Sequence, residues 1–351
     1  MANFIIGVKN GRGAATASSA SLAPAVSRVR IDEGSDGQRL DNFLIKLLKG
    51  VPKTHVYRVI RSGEVRVNKG RAAADTRLTL GDEVRVPPVR TSEHAALRRD
   101  VAPNLAPARE FPVVFEDEHL LAVDKPAGVA VHGGSGVSHG VIEQLRRARP
   151  EARFLELVHR LDKETSGLLL IAKKRSALLA LQEQFRQRET GKTYAALVHG
   201  AWPASKKVID VALHKYLSAE GERRVRTVDA DDADGRRSIT LVKVAQAYTT
   251  CTLLDVTIKT GRTHQIRVHL LHEGHAIVGD DKYGDFDANR ALARGVTIPG
   301  LRFERMFLHA RRLKFLHPAS GEVIELHSPL PAECAALLHA LPRAASVKPA
   351  P

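Results

Sequence analysis

Cysteine is nearly absent: Cys251 and Cys334 are the only two in 351 residues, too few and too far apart for a disulfide framework or a four-cysteine zinc site. A reducing cytoplasm fits that usage. Long apolar runs are missing as well. The stretches at 167–172 and 113–123 are short or interrupted against the roughly 18 residues that cross a bilayer, so no membrane partner is expected. Acidic residues are in deficit, 39 against 54 Lys and Arg, which leaves a net charge of +15 and favours a polyanionic partner, nucleic acid first. Residues 1–27 contain no acid at all, and Phe4-Ile5-Ile6 is too short for the core of a secretory signal, so this stretch reads as a flexible basic tail. Hydrophobic residues, at 43%, are sufficient for a packed core and exclude a disordered chain, and the length suits roughly two domains. No fixed-period repeat is visible.

Ordered patterning begins near Arg30. Leu40, Phe43, Leu44, Leu47 and Leu48 recur at helical spacing and predict an amphipathic helix stopped at Gly50. A second helix follows Pro52, with Val56, Val59 and Ile60 on one face and Gly63 at its end. Glu64-Val65-Arg66-Val67-Asn68 alternates like a strand, Asn68-Lys69-Gly70 reads as a turn, and 81–86 repeats the turn-strand pattern. Lys46, Lys49, Lys53, Arg58, Arg61, Arg66, Lys69 and Arg71 crowd this helix-helix-β unit, where they could track a phosphate backbone; the plainer reading is a solvated face.

From Pro87 to Pro112 the chain turns to Pro, Ala and Arg without a period, as linkers do. Beyond it, 113–115 and 120–123 predict a hairpin, 141–149 a helix, 167–172 a buried strand, and Ala177, Leu178, Leu181 and Phe185 a helix stripe. Strands are expected at 193–198, 239–244, 252–258 and 322–326. The expected division is a tail over 1–27, the small helix-helix-β unit over 28–90, a linker over 91–110, a larger domain over 111–341 and a flexible C-terminal tail over 342–351. Strands often follow one another directly, so the fold class is α+β: a small helix-helix-β domain joined to a mixed, mainly antiparallel β-sheet domain with flanking helices.

Three clusters could carry chemistry. His159-Arg160-Leu161-Asp162-Lys163-Glu164-Thr165-Ser166-Gly167 is a polar loop backed by an apolar strand, able to present Arg160 and Asp162 to a ligand. An isolated Asp is more often a turn cap than a catalyst, so the loop alone decides nothing. In Gly261-Arg262-Thr263-His264-Gln265-Ile266-Arg267-Val268-His269, Thr263 could cap a helix and leave Arg262 as the fixed partner of a buried carboxylate, with Arg267 the next candidate. In Lys192-Thr193-Tyr194, strand alternation puts Tyr194 on the face of Ala196 and Val198, as core or as a ring for a base. Two patterns fail. His272-Glu273-Gly274-His275 has two residues between its histidines where the zinc helix needs three, so no metal site is expected, and Gly133-Gly134-Ser135-Gly136 lacks the ending of a P-loop and reads as a flexible loop.

In this order, the three clusters resemble the motifs of the RluA-type pseudouridine synthases, and the N-terminal unit resembles the S-four (S4) RNA-binding domain that many members carry. The resemblance covers about residues 30 to 335. Val51-Pro52-Lys53 and Val131-His132-Gly133-Gly134 are similar in detail to members that act on large-subunit ribosomal RNA; the long tail and the acidic 229–234 insertion are departures. The resemblance implies a cofactor-free isomerase converting specific uridines of large-subunit (23S) ribosomal RNA, free or in an assembly intermediate, to pseudouridine. It gives Asp162 the essential carboxylate, Tyr194 the ring against uracil and help with the carbon-five proton, and Arg262 the pairing with Asp162. Arg160 would fill the space left by a flipped nucleotide, beside His159, while Lys53, Arg58, Arg61, Arg66 and Lys69 would hold RNA. A monomer is expected. The competing readings are a noncatalytic rRNA-binding or assembly factor and an RNA glycosidase, for which Glu164 would be the second carboxylate.

Overall fold

The computed structural model describes residues 26–32, 34–48, 50–89, 106–133, 139–219 and 221–344. The chain forms two compact units, 1–101 and 102–351. Most of the stretches read as tail and linker, and the glycine-rich 134–136, lie outside the described residues. No helix among the described residues is long and apolar enough to cross a membrane.

In the first unit, strand β1 (Ser27–Arg30) pairs with β3 (Glu83–Val86), which pairs with β2 (Arg66–Val67), all antiparallel. The strand begins at the last residue of the segment read as tail. Helices α1 (Leu40–Leu47) and α2 (Lys53–Arg61) bury the expected stripes, Leu40, Phe43 and Leu44 against Val56, Val59 and Ile60. The strand expected over 64–68 is shorter because Asn68 and Lys69 take φ of 49° and 68°, and the turn starts there. Asn68 fixes it, its amide oxygen accepting from the Glu83 N–H and its amide nitrogen donating to Asp82.

The second unit is built on one sheet in the order β4-β5-β7-β14-β8-β13-β12-β9, with β6 added to β7 and β15 to β14. Its strands are β4 (Val113–Glu116), β5 (Leu120–Lys125), β6 (Glu156–Leu157), β7 (Ser166–Ala172), β8 (Gly191–His199) and β9 (Val208–Asp210). After a hairpin come β12 (Ile239–Ala247), β13 (Cys251–Ile258), β14 (Leu308–Leu316) and β15 (Val323–His327). The β7–β14 pairing is parallel and the other ladders are antiparallel. β7 is buried along its whole length because both faces are covered. Helix α3 (Val141–Ala148) packs with Leu169, Ile171, Tyr194 and Ala196 on one face, and α4 (Arg175–Gln187) with Leu168, Leu170 and Phe315 on the other.

The hairpin, β10 (Ala212–Leu217) and β11 (Arg223–Val228), is a separate two-stranded ribbon that sequence patterning missed, since most of its side chains meet water. β14 was missed too. A register shift between Ala310 and Arg312 breaks its alternation and sets Arg311 and Arg312 side by side. Helices α5 (Gln265–His272), α6 (Phe286–Ala293) and α7 (Ala332–Ala340) complete the unit.

Gly167 opens β7 at φ 108°, and a Cβ there would lie 2.4 Å from the Ala310 carbonyl oxygen. Glycine therefore lets β14 pair with β7 beside the polar loop. Gly167→Ala should cost about 2–5 kcal/mol, combining left-handed strain with a backbone clash. An unchanged urea midpoint would show that β14 can retreat freely.

Candidate active site

The loop between β6 and β7 is pinned along its length. At its start, the His159 ring turns back: Nε2 accepts from the Leu170 N–H at 3.1 Å and the ring stacks on Phe185 at 4.8 Å. At its middle, Lys125 is fully buried, its Nζ donating to the carbonyls of Lys163 (3.0 Å), Pro126 (2.8 Å) and Val129 (2.8 Å). Burial draws the Lys125 pKa down to about 7, while three carbonyl acceptors use every hydrogen of its ammonium form. The Thr165 N–H closes on the Asp162 carbonyl, and Gly167 ends the loop.

Held this way, the Asp162 carboxylate is 18% exposed and faces two nitrogen-bearing side chains of the later cluster, a guanidinium and an imidazole. Arg267 Nη1 lies 3.7 Å from one oxygen and His264 Nε2 4.0 Å from the other. Arg267 is itself buried and aimed by Asp280, to which it donates through Nε at 2.7 Å and Nη2 at 2.6 Å, with the Tyr283 ring over its guanidinium. Burial draws His264 below the usual histidine value, against the pull of Asp162.

The expected Asp162–Arg262 pairing is corrected by this geometry: Arg267 is the guanidinium at Asp162, and Arg262 is exposed on the turn before α5. Thr263 is no cap. His264 occupies that position at φ 52°, and Gln265 fixes the turn from inside the helix, accepting from Thr260 Oγ1 and the Arg262 N–H and donating to the Ile239 carbonyl. Arg267 thus falls in the first turn of α5. Its one sequence signal was a charge within the apolar run from Ile266 to Leu271, which demands a buried acid.

Tyr194, Arg160 and Arg262 line the same pocket as Asp162, His264 and Arg267. Burial and the Asp162 charge push the Tyr194 phenol upward, so it rests protonated. Arg160 is exposed, and the cleft continues past it along Lys215, Tyr216, Arg223 and Arg224 of the unanticipated hairpin and Lys282 beside it, a largely basic wall in which Glu222 pairs with Arg224 and Lys282. His159 is corrected as an RNA-facing candidate, because its ring is spent on β7 and α4. Its pKa is lowered to about 3 by burial and Lys192. Its stabilising contribution is therefore full above the unfolded value near 6.5 and is lost as pH falls toward 3. Relative to His159→Gln, the wild type should lose up to about 2 kcal/mol more between pH 7 and pH 5, read from urea midpoints.

The histidines of the second cluster disperse. His269 is buried between Thr240 Oγ1 and the Val211 carbonyl, and His275 Nδ1 meets the His199 carbonyl. Among the described residues, the group able to share a cation is His214, Asp232 and Asp234, at the hairpin base. In the first unit, Lys53, Arg58, Arg61 and Lys69 are exposed and Arg66 half-buried; Arg58 pairs with Glu64 at 3.3 Å. Sequence reading overlooked Lys125, Asp280 and Tyr283. A lysine closing the apolar 120–123 run was the signal for the first.

Comparison with known proteins gives the family. A family described as RNA pseudouridylate synthase matches residues 119–272, and the S4 domain matches 38–84. Ribosomal large subunit pseudouridine synthase C of Escherichia coli K12 is 49% identical over 309 residues, spanning 88% of this chain and 94% of that protein. The Yersinia pestis protein of the same name is 47% identical over 325 residues, spanning 93% and 98%. Two solved human structures, RNA pseudouridylate synthase domain containing 4 and 1, superpose with TM-scores of 0.53 and 0.55 at 26% and 25% identity, covering 65% and 69% of this chain and 91% of each of theirs. With identity of that extent over nearly the whole chain, and a family match whose span takes in the loop and helix around Asp162, the chain belongs to the RluA-type RNA pseudouridine synthases.

Proposed function

We propose that this enzyme converts uridines of large-subunit ribosomal RNA to pseudouridine in the cytoplasm, with Asp162 as its essential carboxylate. The observation that carries the reading is an ionisable carboxylate held between Arg267 and His264, in one pocket with Tyr194 and Arg160. The reaction breaks the bond from uracil N1 to ribose C1′, forms the bond from C5 to C1′, and exchanges a C5 proton for one on N1. Atoms balance without a further reactant. A paired uridine hides the bond to be broken, so the nucleotide is flipped out, and Arg160, which lines the cleft, is assigned to the space it leaves. Tyr194 meets uracil as a neutral ring, and takes the C5 proton only after passing on its own. The basic wall along the hairpin receives the adjoining backbone, Arg262 with it.

The test offers large-subunit RNA labelled with tritium at uracil C5. Isomerisation releases tritium and leaves pseudouridine in the chain; free uracil would mean a glycosidase, and binding without reaction an assembly factor. The first unit is assigned to RNA capture through Lys53, Arg58, Arg61, Arg66 and Lys69. Deleting residues 30–90 should weaken binding and alter target choice while the chemical residues remain. Binding by the whole chain should fall with salt by a log-log slope of about −0.7 to −0.9 per phosphate contacted. Equal affinity and slope after deletion would remove that assignment.

A further inference from the structure

Behind the side chains facing Asp162 stands a hydroxyl that the reaction does not use. Tyr283 Oη lies 2.8 Å from His264 Nδ1 and accepts the N–H of Val225, on strand β11, at 3.0 Å. The Tyr283 side chain packs with Leu213, Val225 and Val268, so the contact is built into a small buried cluster. A hydroxyl that accepts from a backbone N–H has its own hydrogen available for the ring nitrogen opposite, and donating it satisfies both groups. We propose that Tyr283 is a positioning residue that fixes the tautomer of His264, leaving Nδ1 as acceptor and presenting Nε2–H to the Asp162 carboxylate.

The choice has consequences at the carboxylate. Nε2 stands 4.0 Å from Asp162 Oδ1, beyond hydrogen-bond length, so its proton can act on the carboxylate directly only if the pair tightens in the complex with RNA. An N–H aimed there holds the carboxylate in place; the other tautomer would aim a lone pair at it. The remaining charged neighbours of His264 are Arg267, Lys282 and Asp280, and burial favours the neutral ring, the form in which tautomers matter. The backbone adds a second mark. At φ 52° His264 adopts a conformation in which Asn is more at ease. Backbone preference and ring function therefore favour different replacements.

This inference rests on Asp162 being the working carboxylate, and the experiment separates the two. Full-length protein labelled with nitrogen-15 in its histidines gives the ring proton positions from two-bond correlation spectra, with His264 assigned by its loss in His264→Gln. The wild type should show the Nε2–H form, and Tyr283→Phe a mixture or the Nδ1–H form; this readout needs no RNA. In single-turnover isomerisation, Tyr283→Phe should be slowed about tenfold at unchanged RNA affinity, the loss expected from one hydrogen bond. His264→Gln, whose amide reaches the Nε2 position, should turn over faster than His264→Asn, while His264→Asn should be the more heat-stable. An unchanged tautomer in Tyr283→Phe overturns the proposal, as does a rate for His264→Asn equal to or above that of His264→Gln. A wild type with the Nε2–H form that fails to isomerise RNA would refute the functional reading and leave the tautomer assignment standing.

Discussion

Asp162→Asn is expected to lower single-turnover isomerisation by about 10⁴-fold or more while RNA affinity stays within about threefold. The amide keeps the volume of the carboxylate but carries neither its charge nor its nucleophilicity. The fold should tolerate the change, because Arg267 retains both bonds to Asp280 and the loop is held by Lys125, His159 and Gly167 rather than by the carboxylate. Tritium release reads the rate and filter binding the affinity. Turnover near the wild-type level would remove Asp162 from the chemistry, whatever its surroundings.

The second large effect belongs to Arg267. Its guanidinium gives two parallel bonds to Asp280 and still reaches Asp162, which a lysine's single ammonium on a flexible stem cannot reproduce. Arg267→Lys should slow isomerisation by about 100-fold, and because it weakens a buried ion pair it should cost about 3 kcal/mol of stability. Arg262→Lys is the control from the same segment. Exposed and outside the Asp162 contact, it should turn over within about threefold of wild type, with any loss in RNA affinity. The opposite order of rates would return the partner role to Arg262.

Why the sequence pointed to the wrong arginine is physical. Capping statistics favour a threonine before a helix, and Thr263 was available. The start of α5 is set by long-range contacts instead, the Gln265 amide bonding the Ile239 carbonyl and Thr240 on a neighbouring strand, and such contacts leave no local pattern. β7 was legible because cover on both faces demands an unbroken apolar run, and the α1 and α4 stripes because one face is buried. The hairpin has too little core to write an alternation. His159 was misplaced for a related reason: adjacency to Arg160 and Asp162 says nothing of which side chain turns inward.

The place of β14 in the sheet sets an order of assembly. β7 carries the Asp162 loop, β8 carries Tyr194, and β14 lies between them, pairing with both. Ser166 and its β14 partner His309 are 143 positions apart. Until that late strand arrives, the carboxylate and the tyrosine stand on separate fragments of sheet, one ending at β7 and the other at β8. The enzyme should therefore stay chemically silent through most of its own synthesis, and any truncation that removes β14 should disarm it even with Asp162, Tyr194 and Arg267 all present.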